Sequence, residues 1–188
     1  MNPALIRRWH WWQRRAALAR IRLVVLDVDG VLTDGGLWYG PGGELIKRFD
    51  VRDGLGIRLL QQAGLEIALL SGGRGGATEA RAAHLGIRHC LVGAVDKPKA
   101  LMGLQHELGM PPEVTVFVGD DYNDLAVRPR VALLVATADA AKPLRRRADL
   151  VLLRRGGQGA VRELADRLIA PTAFGKRLQE QGWRDRND

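Results

Sequence analysis

Short apolar runs alternate with helically spaced segments along most of the chain. Runs such as RLVVL at 22–26 and VTVFV at 114–118 are typical of strands that are buried on both faces. The segments between them place apolar residues three or four positions apart, the spacing of a helix that packs on one side. The pattern predicts strands at 22–26, 66–70, 89–92, 114–118, 131–135 and 149–153, and helices at 53–63, 75–85, 97–108, 121–127, 140–146 and 160–168.

This alternation predicts an α/β fold with one parallel sheet and helices on both faces, a Rossmann-like three-layer α/β/α arrangement. Two further β-prone runs, at 37–39 and 44–49, flank the turn sequence GPGG and so predict a β-hairpin. We expect a main domain at 22–170 that includes this hairpin at about 36–49, a leader helix at 1–21 and an exposed C-terminal tail at 171–188.

Composition adds a few limits. Hydrophobic residues make up 46% of the 188 residues, which suits an ordinary globular domain. The single cysteine, Cys90, lies in the apolar stretch HCLVG, which favours a buried thiol over a reactive one. One cysteine cannot form an intrachain disulfide, so we expect a cytoplasmic protein. The sequence predicts no membrane span and no secretory signal.

The net charge of +8 is concentrated in the leader. Six of the 29 basic residues and none of the 21 acidic ones lie in residues 1–22, so the body is nearly balanced and no nucleic-acid partner is expected for it. The leader is a basic, Trp-rich amphipathic helix that could contact an anionic membrane surface or nucleic acid. Packing against its own domain or a neighbouring subunit is the interpretation we favour. Its predicted apolar face consists of Leu5, Trp9, Trp12, Ala16 and Ala19.

Polar side chains follow the predicted strands at the edge where ligands gather in parallel sheets. Asp27 and Asp29 stand two positions apart just after the first strand, and Gly30 lets the backbone turn closely there. Solvated aspartates in an ordinary turn are the structural alternative. Ser71, followed by Gly72, ends the second strand, where a hydroxyl and free backbone N–H groups suit phosphate oxygens.

Two further features complete the set. Lys97 opens a helix, where a cation opposes the helix dipole, so an anionic partner would explain it; Lys99 is an alternative. The sequence GDDYND at 119–124 brings together Asp120, Asp121 and Asp124, which repel one another unless a cation lies between them. Their hard oxygen ligands suit Mg²⁺, although a helix N-terminus explains one or two of them. Together these groups supply what phosphoryl transfer needs: a nucleophile, anion binding and charge neutralisation.

These four motifs resemble those of the haloacid dehalogenase (HAD) phosphatases. The resemblance implies that Asp27 is the nucleophile and that Asp29 is the general acid/base, which protonates the leaving oxygen and then activates water. Ser71 and Lys97 would hold the phosphoryl oxygens. Asp27, the backbone carbonyl of Asp29 and Asp120 would bind Mg²⁺, with Asp121 and Asp124 assisting.

The match over roughly residues 22–170 is similar to one small-cap subfamily, the 3-deoxy-D-manno-octulosonate 8-phosphate phosphatases. It extends through the hairpin, FDVRDGLGI at 49–57 and GGQGAVREL at 156–164. This resemblance implies a HAD fold with a β-hairpin flap in place of a cap domain, a role in lipopolysaccharide precursor synthesis, and a homotetramer whose subunits complete each other's sites. Arg52 and Arg162 would contact the sugar-acid phosphate.

One departure concerns specificity. The subfamily has Thr-Gly-Arg at the second motif, whereas this chain has Ser71-Gly72-Gly73 followed by Arg74. Arg74 could substitute for the missing arginine from the next position, or the substrate could be a different one, such as a nonulosonate 9-phosphate. A non-catalytic assembly protein is a third alternative, against which the intact aspartates and Lys97 weigh.

Overall fold

The computed structural model of the chain describes residues 11, 14–43 and 45–183. Six parallel strands form one sheet: β1 (Leu23–Leu26), β4 (Glu66–Leu70), β5 (His89–Leu91), β6 (Thr115–Gly119), β7 (Leu133–Ala136) and β8 (Leu150–Val151). Their order in the sheet is β5-β4-β1-β6-β7-β8. The helices are α1 (Arg15–Leu18), α2 (Val51–Gln62), α3 (Gly76–His84), α4 (Lys97–Leu108), α5 (Lys142–Arg147), α6 (Ala160–Ile169) and α7 (Ala173–Gln181), with 3₁₀ turns at Pro112–Val114 and Tyr122–Arg130.

Alternate residues of the central strands point into two separate cores. In β1, Val24 and Leu26 pack on the side of α2 and α6, whereas Leu23 and Val25 pack on the side of α4 and α5. Both faces of the sheet are covered because successive side chains of a strand point in opposite directions. The predicted three-layer α/β/α arrangement is therefore confirmed.

The sheet register brings the chemically interesting residues to one edge. Leu26, the last residue of β1, is paired with Leu69 of β4 and with Val118 of β6. The residues that follow these three strands, beginning with Asp27, therefore emerge side by side. Parallel topology alone accounts for this convergence.

The predicted hairpin is present and small. Strands β2 (Trp38–Tyr39) and β3 (Leu45–Ile46) pair antiparallel, with Trp38 opposite Ile46. Its outer side chains are largely exposed, since Trp38, Tyr39 and Ile46 are 67%, 70% and 57% accessible. We call the segment 36–49 the flap.

Both termini differ from expectation where the structure describes them. Trp11 is buried beneath Arg167, whose guanidinium lies 4.2 Å from the centre of the indole ring. Ala17 and Leu18 pack against the core, whereas Ala16 and Ala19 are exposed, so the predicted apolar face is wrong at those two alanines. Leu5, Trp9 and Trp12 lie outside the described residues.

The C-terminal segment is also more ordered than predicted. Thr172 caps α7 by accepting a hydrogen bond from the backbone N–H of Gly175. Phe174, Leu178 and Trp183 pack against the core, so residues 173–183 include a helix that contacts the domain on one side, although most of their side chains are exposed. Within the part of the chain that the structure describes, every helix is too short or too polar to cross a lipid bilayer. Cys90 is half-buried, and burial raises the pKa of its thiol, which fits an unreactive cysteine.

Candidate active site

Asp27 lies directly beyond β1 with only 5% of its surface exposed. One carboxylate oxygen accepts a 2.7 Å hydrogen bond from the backbone N–H of Val28, and the other lies 2.9 Å from Lys97 Nζ. Burial, followed by repulsion from Asp124, raises the pKa of Asp27 to about 6 against the opposing effect of Lys97. The group is thus held in place by two donors in a poorly solvated position.

Asp27, Asp120 and Asp124 form an acidic cluster in which one oxygen of each lies within 4.8 Å of the others. Burial and then the charges of Asp27 and Asp124 raise the pKa of Asp120 to about 7. Such crowding is unfavourable in the absence of a cation, and the hard oxygen donors are those that Mg²⁺ prefers. The residues therefore fit a divalent metal site.

Lys97 links two members of this cluster. Its ammonium group lies 2.9 Å from Asp27 and donates a 2.6 Å hydrogen bond to Asp124. Burial lowers the pKa of Lys97, but the two carboxylates outweigh this effect and the net change is upward. The anionic partner expected for a lysine at the start of α4 is thus supplied by the acidic cluster itself.

Asp124 also organises the backbone at the end of β6. Its second oxygen accepts hydrogen bonds from the backbone N–H groups of Asp120, at 2.9 Å, and Asp121, at 3.3 Å. Asp121 is exposed, and its carboxylate accepts a hydrogen bond from Tyr122 N–H at the start of the 3₁₀ turn. Asp121 therefore caps this turn rather than joining the cluster of three.

A cavity of about 540 Å³ opens at this edge of the sheet, and we call it the acidic cavity. The predicted residues that line it are Asp27, Asp29, Ser71, Gly72, Asp120 and Asp121. Ser71 is buried, and its hydroxyl accepts a 3.1 Å hydrogen bond from Gly73 N–H. Residues from the ends of β1, β4 and β6 thus meet around one space, as the sequence predicted.

Three predicted substrate-binding arginines lie outside the lining of this cavity. Arg52 and Arg162 line a second cavity of about 400 Å³, where Arg52 pairs with Asp50 and Arg162 with Asp166. The exposed side chain of Arg74 passes close to Gly93. Their contacts with substrate remain predictions.

Two glycines bring a distant loop against the nucleophile's loop. A side chain at Gly156 would overlap the carbonyl oxygen of Gly30, and one at Gly30 would overlap the carboxylate of Asp120. Gly157 N–H donates a 2.9 Å hydrogen bond to the Val31 carbonyl oxygen. The GGQG segment therefore supports the turn that carries Asp27 and Asp29. This contact gives a structural reason for the glycines of the GGQGAVREL sequence.

The sequence prediction missed Lys47, a flap residue whose ammonium donates a 2.8 Å hydrogen bond to Asp29 Oδ2. The side chain of Lys47 is only 2% exposed. The alternation of side-chain direction along a strand could have indicated this residue. Lys47 shares the more buried face of the flap with Leu45 and Phe49, whereas its neighbours Ile46 and Arg48 are exposed.

Comparison with known proteins agrees with this geometry. Residues 44–127 match the family model of the haloacid dehalogenase-like hydrolases. The matched segment includes Ser71, Lys97 and the GDDYND sequence. With Asp27 and Asp29 beyond the neighbouring strand, the fold and the site define a phosphatase of the HAD class.

Individual relatives narrow the class. The chain is 45% identical over 154 residues, 82% of each protein, to the 3-deoxy-D-manno-octulosonate 8-phosphate phosphatase KdsC of Escherichia coli K12. The crystal structure of the same phosphatase from Yersinia pestis matches with a TM-score of 0.82 and 40% identity over 87% of both chains. That from Moraxella catarrhalis, in complex with magnesium, phosphate and KDO, has a TM-score of 0.85 and 31% identity, covering 89% of this chain and 97% of that one. The chain belongs to the 3-deoxy-D-manno-octulosonate 8-phosphate phosphatase family.

Proposed function

We propose that this protein hydrolyses 3-deoxy-D-manno-octulosonate 8-phosphate to the free sugar acid and inorganic phosphate, a step of lipopolysaccharide precursor synthesis. The observation that carries the proposal is the convergence of Asp27, Asp29, Ser71 and Asp120 on the acidic cavity. Family membership and the magnesium, phosphate and KDO of the Moraxella catarrhalis structure support the choice of substrate.

The acidic cluster would hold Mg²⁺ through Asp27, Asp120 and the backbone carbonyl of Asp29, with Asp121 and Asp124 assisting. When bound, Mg²⁺ offsets negative charge on the nucleophile and on the phosphoryl group. Lys97 supports this role from the protein side, because it already lies 2.9 Å from Asp27. Ser71 and the backbone at Gly72 are available for the remaining phosphoryl oxygens.

Two displacements follow from these positions. The Asp27 carboxylate forms a bond to phosphorus while the bond to the sugar oxygen breaks, and Asp29 gives that oxygen its proton. Asp29 then takes a proton from a water molecule as the water oxygen bonds to phosphorus. The bond between phosphorus and Asp27 breaks, releasing phosphate and restoring both carboxyl groups. Lys97 Nζ, 2.9 Å from the Asp27 carboxylate, offsets negative charge in both steps.

Gly73 is the observation that favours a second candidate substrate. A Cβ atom at this position would lie 3.1 Å from Asp29 Oδ2, so any side chain there would face the acid/base group. Gly73 itself cannot contact the sugar acid with a side chain, in contrast to the arginine of the second motif in the subfamily. A nonulosonate 9-phosphate is the alternative substrate that the loss of this arginine favours.

The test is phosphate release from a panel of sugar-acid phosphates, with Mg²⁺ and with EDTA. We expect the highest kcat/KM for 3-deoxy-D-manno-octulosonate 8-phosphate and no turnover in EDTA. Asp27→Asn should lower kcat more than about 10³-fold, since it removes the nucleophile. Asp34→Asn is the matched control, because this carboxylate of the same loop is exposed and pairs with Arg48 on the surface. Equal turnover by Asp27→Asn and wild type would refute the mechanism, and preference for a nonulosonate 9-phosphate would change the substrate.

We infer in addition that the enzyme is a cytoplasmic homotetramer whose subunits complete each other's sites. The exposed apolar residues of the flap, Leu37, Trp38, Tyr39 and Ile46, support an interface there. No nucleic-acid partner is proposed. The burial of Trp11 and the pairing of Arg14 with Asp149, at 3.0 Å, support packing of the described part of the leader on its own domain instead of a membrane.

A further inference from the structure

Lys47 is a buried cation of the flap, next to a cation that is exposed. Its side chain is 2% accessible, whereas that of the neighbouring Arg48 is 57% accessible. Withdrawing an ammonium group from water is costly unless an anion receives it. The anion is Asp29, 18 residues earlier, at 2.8 Å from Lys47 Nζ. The flap therefore contacts the acidic cavity through a charged pair.

Asp29 has few other restraints among the described residues. Its second oxygen lies 3.5 Å from the Thr33 hydroxyl, at the limit of a hydrogen bond, and Lys47 is its one charged partner in this part of the chain. The terminal torsion of an aspartate side chain has a broad energy minimum. The direction in which Asp29 presents its carboxyl group therefore depends on Lys47.

We propose that Lys47 is a positioning residue that holds the Asp29 carboxyl group at the leaving oxygen, so that placement of the flap sets the geometry of proton transfer. The proposal rests on the role given to Asp29 in the proposed function. Proton transfer requires the acid to lie within about 2.6–3.2 Å of the oxygen that receives the proton. A hydrogen bond of 2.8 Å from Lys47 to Oδ2 is strong enough to fix one orientation, and Oδ1 is then the oxygen that carries the proton to be transferred.

Lys47→Met tests this inference by removing the ammonium group while keeping an unbranched side chain. Turnover is measured with two kinds of ester, an alkyl phosphate such as the sugar phosphate and an aryl phosphate such as p-nitrophenyl phosphate. The alkoxide leaving group needs a proton, whereas the nitrophenolate does not. We expect kcat/KM to fall about 30-fold for the alkyl ester and less than about threefold for the aryl ester. A structural defect would lower both alike, and that outcome would overturn the proposal.

A double-mutant cycle with Asp29→Asn shows whether Lys47 acts through Asp29. If it does, Lys47→Met should lower alkyl phosphate turnover little further once Asp29 is replaced. Additive losses would contradict the proposal. Arg48→Met is the matched control, since it removes a flap cation that pairs with Asp34 at 3.4 Å on the surface. Its kinetics should equal those of the wild type.

A crystal structure of Lys47→Met gives a readout that needs no turnover. The Asp29 carboxylate should leave its present orientation, and an unchanged carboxylate would rule out the positioning role. Failure of the proposed function has a different signature, in which wild-type protein hydrolyses other alkyl and aryl phosphates but not the sugar-acid phosphate. The comparison of ester types then still tests Lys47.

Discussion

At the edge of the sheet that carries the acidic cavity, charged groups are withdrawn from water, whereas in the flap aromatic groups are exposed to it. Asp124 and Lys97 are 0% and 3% accessible, while Trp38 and Tyr39 are 67% and 70% accessible. Both arrangements reverse the usual distribution of side chains. A bound metal ion would relieve the first arrangement, and the protein interface proposed for the flap would relieve the second.

Among the substitutions that test this comparison, the largest effect is expected from Asp120→Asn, which removes one carboxylate from the acidic cluster. Activity should fall more than about 100-fold, because a metal ligand is lost. Stability of the metal-free protein should instead rise by about 1 kcal/mol at pH 8, a figure reduced for partial exposure of the group. Burial and neighbouring carboxylates raise the pKa of Asp120 to about 7, so the ionised form destabilises the fold.

Urea unfolding in EDTA at pH 5 and pH 8 measures this. Wild-type stability contributed by protonated Asp120 is lost as the pH rises through about 7, so the advantage of the variant should shrink at pH 5. Asp34→Asn, at an exposed carboxylate, should show no such gain. A variant less stable than wild type at pH 8 would mean that the acidic cluster does not repel itself.

Asp53 provides a contrast to Asp120, because it is a buried carboxylate whose hydrogen-bond partners are backbone N–H groups. Its oxygens accept hydrogen bonds from the N–H groups of Gly159, at 3.1 Å, and Arg162, at 3.0 Å, at the start of α6. Asp53→Ala should therefore cost about 2 kcal/mol, since two buried donors lose their acceptor. If the substitution instead raised the free energy of unfolding, the cost of burying the carboxylate would outweigh the stabilisation from its hydrogen bonds.

The pH dependence of the Asp53 effect has a definite sign. Burial raises the pKa of Asp53 to about 6. The stability that its proton contributes is complete below about pH 4 and is lost as the pH rises through 6. The difference in free energy of unfolding between wild type and Asp53→Ala should therefore be largest in acid. Denaturant titrations from pH 4 to pH 7.5 measure it.

The smallest effect on the fold itself is expected in the flap. Replacing Trp38 and Tyr39 by serine should change the species in solution from four chains to one, with the thermal midpoint of the monomer nearly unaffected. Light scattering after size-exclusion chromatography measures the change. Met102→Gln, at an exposed apolar residue of α4, is the control and should leave assembly intact. A tetramer that survives the double replacement would remove the flap from the interface.

Much of the fold could be predicted because it depends on local pattern. The bounds of β4 and α4 were predicted correctly, since each is a short apolar run or a helically spaced segment with clear ends. The meeting of Asp27, Ser71 and Asp120 required only that parallel strands end at one edge. These positions follow from periodicity and topology without knowledge of any particular contact.

Other features depend on contacts between distant residues, which periodicity does not contain. The pairing of Lys47 with Asp29 depends on how the flap folds back. The predicted apolar face of the leader is wrong at Ala16 and Ala19, because the described part of the leader packs on the core through other residues. One of them is Trp11, which lies against Arg167 from far along the chain. The packing of residues 173–183 similarly depends on Phe174 and Leu178, which contact the core. The sequence of this segment alone does not indicate that contact.

The contact between Gly30 and Gly156 has a consequence for how this sequence can vary. Neither position admits a Cβ atom, because each glycine faces atoms of the site or of the opposite loop. Two segments separated by most of the chain are therefore constrained together in sequence, because a change in either one disturbs their contact. Only one of them carries the reacting groups. A mutant library that seeks new substrates should leave both glycines fixed and place its diversity at Gly73 and in the flap. Recombination between distant relatives should preserve both segments from the same parent.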